Sequence, residues 1–96
     1  MIRHKKIKAG EKYCEGFIIK LFSKNFILIR GGKGYIMCGY LNMAAANKFK
    51  DVAIKITGVS NIKEALAAKV FSRSVHAGKL GIFKGQPVKD VLKIIA

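Results

Sequence analysis

The sequence has no tryptophan, one proline, two cysteines and three arginines, and only five of its 96 residues are acidic. Its longest apolar stretches are a few residues, far below the roughly 18 that a membrane-spanning helix needs. No apolar core follows the basic N-terminal residues, so the sequence predicts no secretory signal. Cys14 and Cys38 have no neighbouring Cys or His at zinc spacing. We therefore expect no metal, no cofactor, no membrane partner, and reduced thiols in a cytoplasmic protein.

Basic residues are what the chain has in excess. Nineteen of them against five acidic residues give a formal net charge of +14, while 51% hydrophobic residues exclude a disordered polycation. Lysines are spread along the sequence apart from one cluster in residues 1–12, which we interpret as a basic N-terminal arm. The candidate nucleic-acid contacts in this arm are Arg3, Lys5, Lys6 and Lys8. Arginine is scarce and no stacking motif is complete, so any such binding is expected to be weak and non-specific.

The first third of the chain has the pattern of strands. Residues 13–22 alternate in polarity, residues 26–30 form a continuous apolar run, and residues 34–38 form a third strand-like segment. Between the last two stands Gly31-Gly32, which is typical of a tight hairpin turn because glycine readily takes a positive φ. A phosphate-binding loop is the weaker alternative, since the pattern G-x-x-x-x-G-K-[ST] is absent.

The remainder alternates helices with strands. Asn42 is a predicted N-cap for a helix over 42–50, and Asn61 with Glu64 resembles a capping box. Strands are predicted at 52–57 and 69–73, and a helical turn at 74–80. Val88, Val91, Leu92 and Ile95 follow Pro87 at helical spacing and predict a final helix with one buried face.

The predicted element order is β-β-β-α-β-α-β-α-α. Such an order indicates an α+β protein, a two-layer α/β sandwich with helices packed on a mixed sheet of about five strands.

Residues 32–70 read GKGYIMCGYLNMAAANKFKDVAIKITGVSNIKEALAAKV, and the segment resembles the YunC-like family of small bacterial and archaeal proteins of unknown function. The most specific part is GYIMCGYL at 34–41, and the similarity extends from about residue 13 onwards. This resemblance implies a compact sandwich and a single domain over residues 13–96. It implies no activity, and the strong positive charge departs from the family pattern.

Cys38 is the residue whose position in the sequence most favours a functional site. It ends a predicted strand about four residues before a helix start near Asn42, and such strand ends meet helix N-termini in a crevice where a thiol becomes more acidic. We name Cys38 as a candidate nucleophile with His76 as its base. The candidate ligand-binding residues around it are Tyr35, Gly39, Tyr40 and Asn42. The competing interpretation is that Cys38 is buried and inert, as most free cysteines are.

Three hypotheses about function follow. The leading one is a ligand- or partner-binding module centred on the Cys38-Gly39 strand-to-helix turn. The alternatives are a non-specific RNA- or DNA-associated basic protein and a small thiol enzyme using Cys38, so the sequence leaves enzymatic activity open. A homodimer is a further expectation, because small domains with exposed strand edges can cover an edge by pairing with a copy.

Overall fold

The computed structural model describes residues 2–39 and 42–96. Its strands are β1 Ile2–Ala9, β2 Lys12–Lys20, β3 Asn25–Arg30, β4 Tyr35–Met37, β5 Ala53–Lys55 and β6 Ser72–Arg73. The helices are α1 Met43–Lys48, α2 Ile62–Ala67, α3 Val75–Lys79 and α4 Val88–Ile95. All strands join one sheet in the order β1 to β6. The β4–β5 pair is parallel and the other pairs are antiparallel, which confirms the predicted α+β fold with a mixed sheet.

The sheet has one strand more than predicted, because β1 occupies the segment that was interpreted as an arm. This strand pairs with β2 along its whole length, from Ile2 opposite Ile19 to Ala9 opposite Lys12. Gly10, at φ 68°, starts the two-residue turn between them. Ile7 is buried while the neighbouring lysines stay exposed. The alternation of a half-buried strand is therefore present, but the lysines obscure it in the sequence.

One face of the sheet, here called the helical face, carries the core. Its strand residues include Ile7, Cys14, Ile27, Ile29, Ile36 and Ile54. Helices α2, α3 and α4 cover them with Ile62, Ala65, Ala77, Val88, Val91, Leu92 and Ile95. The four residues that were predicted to form the buried face of α4 are all buried.

The opposite side of β1, β2 and β3 is here called the open face. Alternation places on it Ile2, His4, Lys6, Lys8, Tyr13, Glu15, Phe17, Ile19, Phe26, Leu28 and Arg30. Ile2 is 66% exposed and Tyr13 53%, which shows that this part of the sheet is uncovered. Further along the same side, Ala53 of β5 is fully buried, so the covered part begins near β5.

The short helices begin at the predicted caps. The side chain of Asn42 accepts a hydrogen bond from Ala45 N, and that of Asn61 accepts one from Glu64 N. Ser74 caps α3 in the same way through Ala77 N. Such caps satisfy N–H groups that have no partner inside the helix. None of the helices in the described ranges has the length and apolarity required to cross a membrane.

Candidate functional site

A cavity opens where two parallel strands end. Cys38 follows β4 and Thr57 lies just past β5, and parallel pairing brings these two strand ends to the same edge of the sheet. The cavity has a volume of about 350 Å³ and is lined by Lys24, Asn25, Cys38, Gly39, Thr57, Gly58, Val59 and Ser60. A Cβ atom built on Gly39 would meet none of the described atoms within 4 Å.

A second cavity, of about 240 Å³, adjoins the first. It shares Asn25 and Ser60 with the first cavity and adds Arg3, Ile18, Lys20 and Asn61. The Asn25 side-chain amide donates a hydrogen bond of 2.8 Å to the carbonyl oxygen of Ser60. This bond ties the end of the β2–β3 loop to the segment after β5. We call the two cavities together the Asn25–Ser60 cleft.

The charged side chains that line the Asn25–Ser60 cleft are basic in the part of the chain that the structure describes: Arg3, Lys20 and Lys24. Lys5 and Lys63 line a neighbouring cavity that also contains Arg3. The carboxylate of Glu64 is close by, but it accepts hydrogen bonds from the backbone N–H and hydroxyl of Ser60 at 2.8 and 2.9 Å. These two bonds lower the pKa of Glu64 and hold Ser60 in place. The cleft therefore has the charge that an anion requires.

Cys38 forms part of the wall of the Asn25–Ser60 cleft and is only 5% exposed. Its Sγ accepts a hydrogen bond of 3.1 Å from Ile27 N and lies 3.9 Å from the carbonyl oxygen of Asn25. The thiol is thus engaged with the backbone of β3. Cys14 is fully buried in the core, and burial raises the pKa of its thiol.

The structure does not bring His76 to Cys38. Ser74 N donates to the carbonyl oxygen of Ala53, so α3 begins beside the start of β5. Cys38 instead follows β4, whose end lies beside the end of β5. The proposed base and nucleophile therefore lie beside opposite ends of β5. His76 Nδ1 is buried without a hydrogen-bond partner among the described residues.

The four predicted ligand-binding residues have different positions. Gly39 lines the Asn25–Ser60 cleft, whereas Asn42 uses its side chain to cap α1. Tyr35 stands at the start of β4, three residues before Cys38 and at the other end of the strand. Tyr40 lies outside the described residues. Of the four, Gly39 is the one that the described structure brings to the cleft beside Cys38.

The four predicted nucleic-acid contacts are divided by the alternation of β1. Arg3 lines the Asn25–Ser60 cleft, and Lys5 lines the cavity beside it. Lys6 and Lys8 are on the open face. The cluster that is continuous in the sequence therefore contributes to two separate surfaces.

Several cleft residues were missed by the sequence analysis, above all Asn25, Ser60 and Asn61. One feature of the sequence could have identified Ser60 and Asn61. They follow the strand that is parallel to β4, and ligands in open α/β sheets bind outside the carboxyl ends of such strands. Asn25 belongs to a hairpin, and nothing in its local sequence indicates that its side chain reaches Ser60.

Tyr35 gives a prediction about alkaline pH. Partial burial, together with a 2.9 Å hydrogen bond to Asp51 Oδ2, raises the pKa of Tyr35 from 10.0 to about 12. Its contribution to stability is therefore complete below pH 10 and is lost as the pH rises through about 12. We expect Asp51→Asn to move the ionisation of Tyr35 to lower pH in an ultraviolet titration, with Tyr35→Phe identifying the signal. An unchanged titration curve would contradict the role of Asp51.

Comparison with known proteins places the chain in a family. A family model described as a domain of unknown function, DUF1805, matches residues 37–95. The uncharacterized protein YunC of Bacillus subtilis (strain 168) is 37% identical over 78 residues, which cover 77% of each protein. The crystal structure of TA1206, a protein of unknown function from Thermoplasma acidophilum, has a TM-score of 0.95 and 36% identity, covering 100% of this chain and 94% of that one. The chain belongs to the YunC-like DUF1805 family, whose function is unknown.

Proposed function

We propose that the protein is a binding module for a small anionic ligand held in the Asn25–Ser60 cleft. The observation that carries this proposal is the joint position of two cavities around the Asn25–Ser60 hydrogen bond, with basic side chains at their borders. Ligand sites combine a cavity with a few fixed polar groups. Here the fixed groups are Asn25 and Ser60, and the charge comes from Arg3, Lys20 and Lys24.

The thiol-enzyme alternative has less support. A nucleophilic cysteine needs an accessible thiolate and an adjacent base or positive charge. Cys38 is nearly buried with its Sγ accepting a hydrogen bond from Ile27 N, and His76 lies near the opposite end of β5. We therefore assign Cys38 a role in shaping the cleft wall beside Gly39. Catalysis by Cys38 and the cytoplasmic location stay predictions.

NMR titration tests the proposed site. At low ionic strength, inorganic pyrophosphate and citrate should shift the backbone amide signals of Gly39, Gly58 and Ser60 in a saturable manner. Lys20→Gln/Lys24→Gln should weaken this binding by about tenfold or more, because it removes two of the three cationic groups that line the cleft.

The control for net charge is Lys89→Gln/Lys93→Gln, which removes two exposed lysines from α4. This variant should bind pyrophosphate and citrate as the parent does. Equal loss in both double variants, or shifts scattered over the whole surface, would show that only general charge attracts the anions and would refute the site.

A further inference from the structure

The open face has a regular arrangement of aromatic and basic side chains. Cross-strand pairing produces an aromatic and apolar row of His4, Phe17, Leu28 and Met37. The next row is charged and joins Lys6, Glu15 and Arg30. A third pair, Lys8 and Tyr13, completes the pattern at the hairpin end. Aromatic rings and cations thus alternate across a face of the sheet that none of the described helices covers between β1 and β3.

The rings of Tyr13 and Phe17 lie on β2, the middle one of the three strands that form the open face. They are four positions apart, which corresponds to about 13 Å along a strand. Tyr13 is 53% exposed, with Lys6 Nζ at 4.9 Å from its ring centroid. The His4 ring lies beside Phe17, with the ring centroids 4.9 Å apart. The face therefore presents two separate aromatic positions, each next to a group that can carry positive charge.

Glu15 is the one acidic residue of the open face, and its charge is already paired. Arg30 donates to Glu15 Oε1 at 2.8 Å, and His4 Nε2 lies 3.1 Å from Oε2. The hydrogen bond from Arg30, followed by that from His4, lowers the pKa of Glu15. The lysines Lys6 and Lys8 add charge that this carboxylate does not balance. The open face is consequently positive.

We infer that the open face binds a single-stranded nucleic acid, with bases stacked on Tyr13 and Phe17 and phosphates beside Lys6, Lys8 and Arg30. Tyr13 is exposed and Phe17 is half-buried beside the His4 ring. Rings among cations are what sequence-tolerant binding of single strands requires, because every base can stack. A duplex hides its bases and would gain only the charge contribution.

A second copy of this chain fits the surface less well than a polyanion does. Two open faces brought together would bury the cations Lys6, Lys8 and Arg30 of both copies in one interface. Each chain has a net charge of +14, so the repulsion extends beyond the interface. Charge complementarity therefore selects the nucleic acid.

Fluorescence anisotropy with a labelled single-stranded RNA of mixed sequence tests the inference. Tyr13→Leu/Phe17→Leu keeps apolar side chains but removes the rings, and we expect it to weaken binding by about tenfold or more. The aromatic control is Phe83→Leu, a 57% exposed phenylalanine outside the sheet, which should bind as the parent does. The same Tyr13 and Phe17 changes should leave the weaker binding of a duplex unaltered.

A second variant tests the inference even if Tyr13→Leu/Phe17→Leu does not fold. Lys6→Gln/Lys8→Gln changes two exposed residues of β1 and should weaken RNA binding more than Lys89→Gln/Lys93→Gln does. RNA binding that is unaffected by the loss of both rings in a folded variant would overturn the inference. A dimer in analytical ultracentrifugation that dissociates in Tyr13→Leu/Phe17→Leu would also overturn it, by assigning the face to a second copy. Pyrophosphate binding in the Asn25–Ser60 cleft should be unchanged throughout, so the two sites can fail separately.

Discussion

Leu92→Ala is expected to lower the free energy of unfolding by about 2–5 kcal/mol, as measured by urea denaturation followed by circular dichroism. Leu92 is 3% exposed and belongs to the face of α4 that packs into the core. Truncation removes buried apolar surface and leaves a cavity that the surrounding sheet and helices fill only in part. The loss is thus larger than the transfer free energy of the deleted atoms.

The control for this substitution is Lys89→Ala on the exposed side of the same helix. It changes helix propensity little and removes no buried contact, so its effect should stay within about 0.5 kcal/mol. Similar losses in the two variants would contradict the assignment of α4 as a core element.

Gly31→Ala should destabilise the protein by about 3 kcal/mol or more, at or above the upper end of overpacking substitutions. The Cβ of an alanine at this position would collide with the backbone carbonyl of Ile95. That carbonyl also accepts a 2.7 Å hydrogen bond from Lys33 N, so the end of α4 cannot withdraw without losing this contact. Backbone atoms cannot move aside as a flexible side chain can.

The adjacent glycine provides a matched control. A Cβ at Gly32 would have Ala96 O as its nearest neighbour at 3.5 Å, which is ordinary contact. Gly32→Ala should therefore be neutral or slightly stabilising, since alanine restricts the unfolded chain. If thermal melting gave the two variants the same midpoint, the close approach of Ile95 would not be the reason for glycine at position 31.

Local sequence patterns predicted most of the elements, although one of them was predicted for a reason that the structure does not bear out. The β3–β4 hairpin was predicted because Gly31-Gly32 allows positive φ, but neither residue has positive φ in the structure. The hairpin is present, and Gly31 is required for the space beneath α4. The glycine pair thus predicted the correct element. The need for glycine at position 31, however, comes from the close approach of the Ile95 carbonyl and not from the turn conformation.

The Asn25–Ser60 cleft illustrates why sites are harder to predict than elements. It combines residues near 3, 24, 38 and 58. Local pattern selected Cys38 for a pocket and Arg3 for a nucleic-acid arm, and it did not join the two. Strand alternation places Arg3 and Lys6 on opposite faces of β1. Tyr35 and Cys38 lie at opposite ends of β4. Such groupings depend on register and sheet order, which are not encoded in any short window.

The place of α4 in the chain has a consequence for folding during synthesis. Every strand pairs with its neighbour in sequence, so the sheet can assemble progressively as residues 2–73 leave the ribosome. Residues 88–95, however, complete the cover over its helical face. Until they emerge, the part of that face that α4 covers is unprotected, which is the condition in which nascent chains aggregate or recruit chaperones.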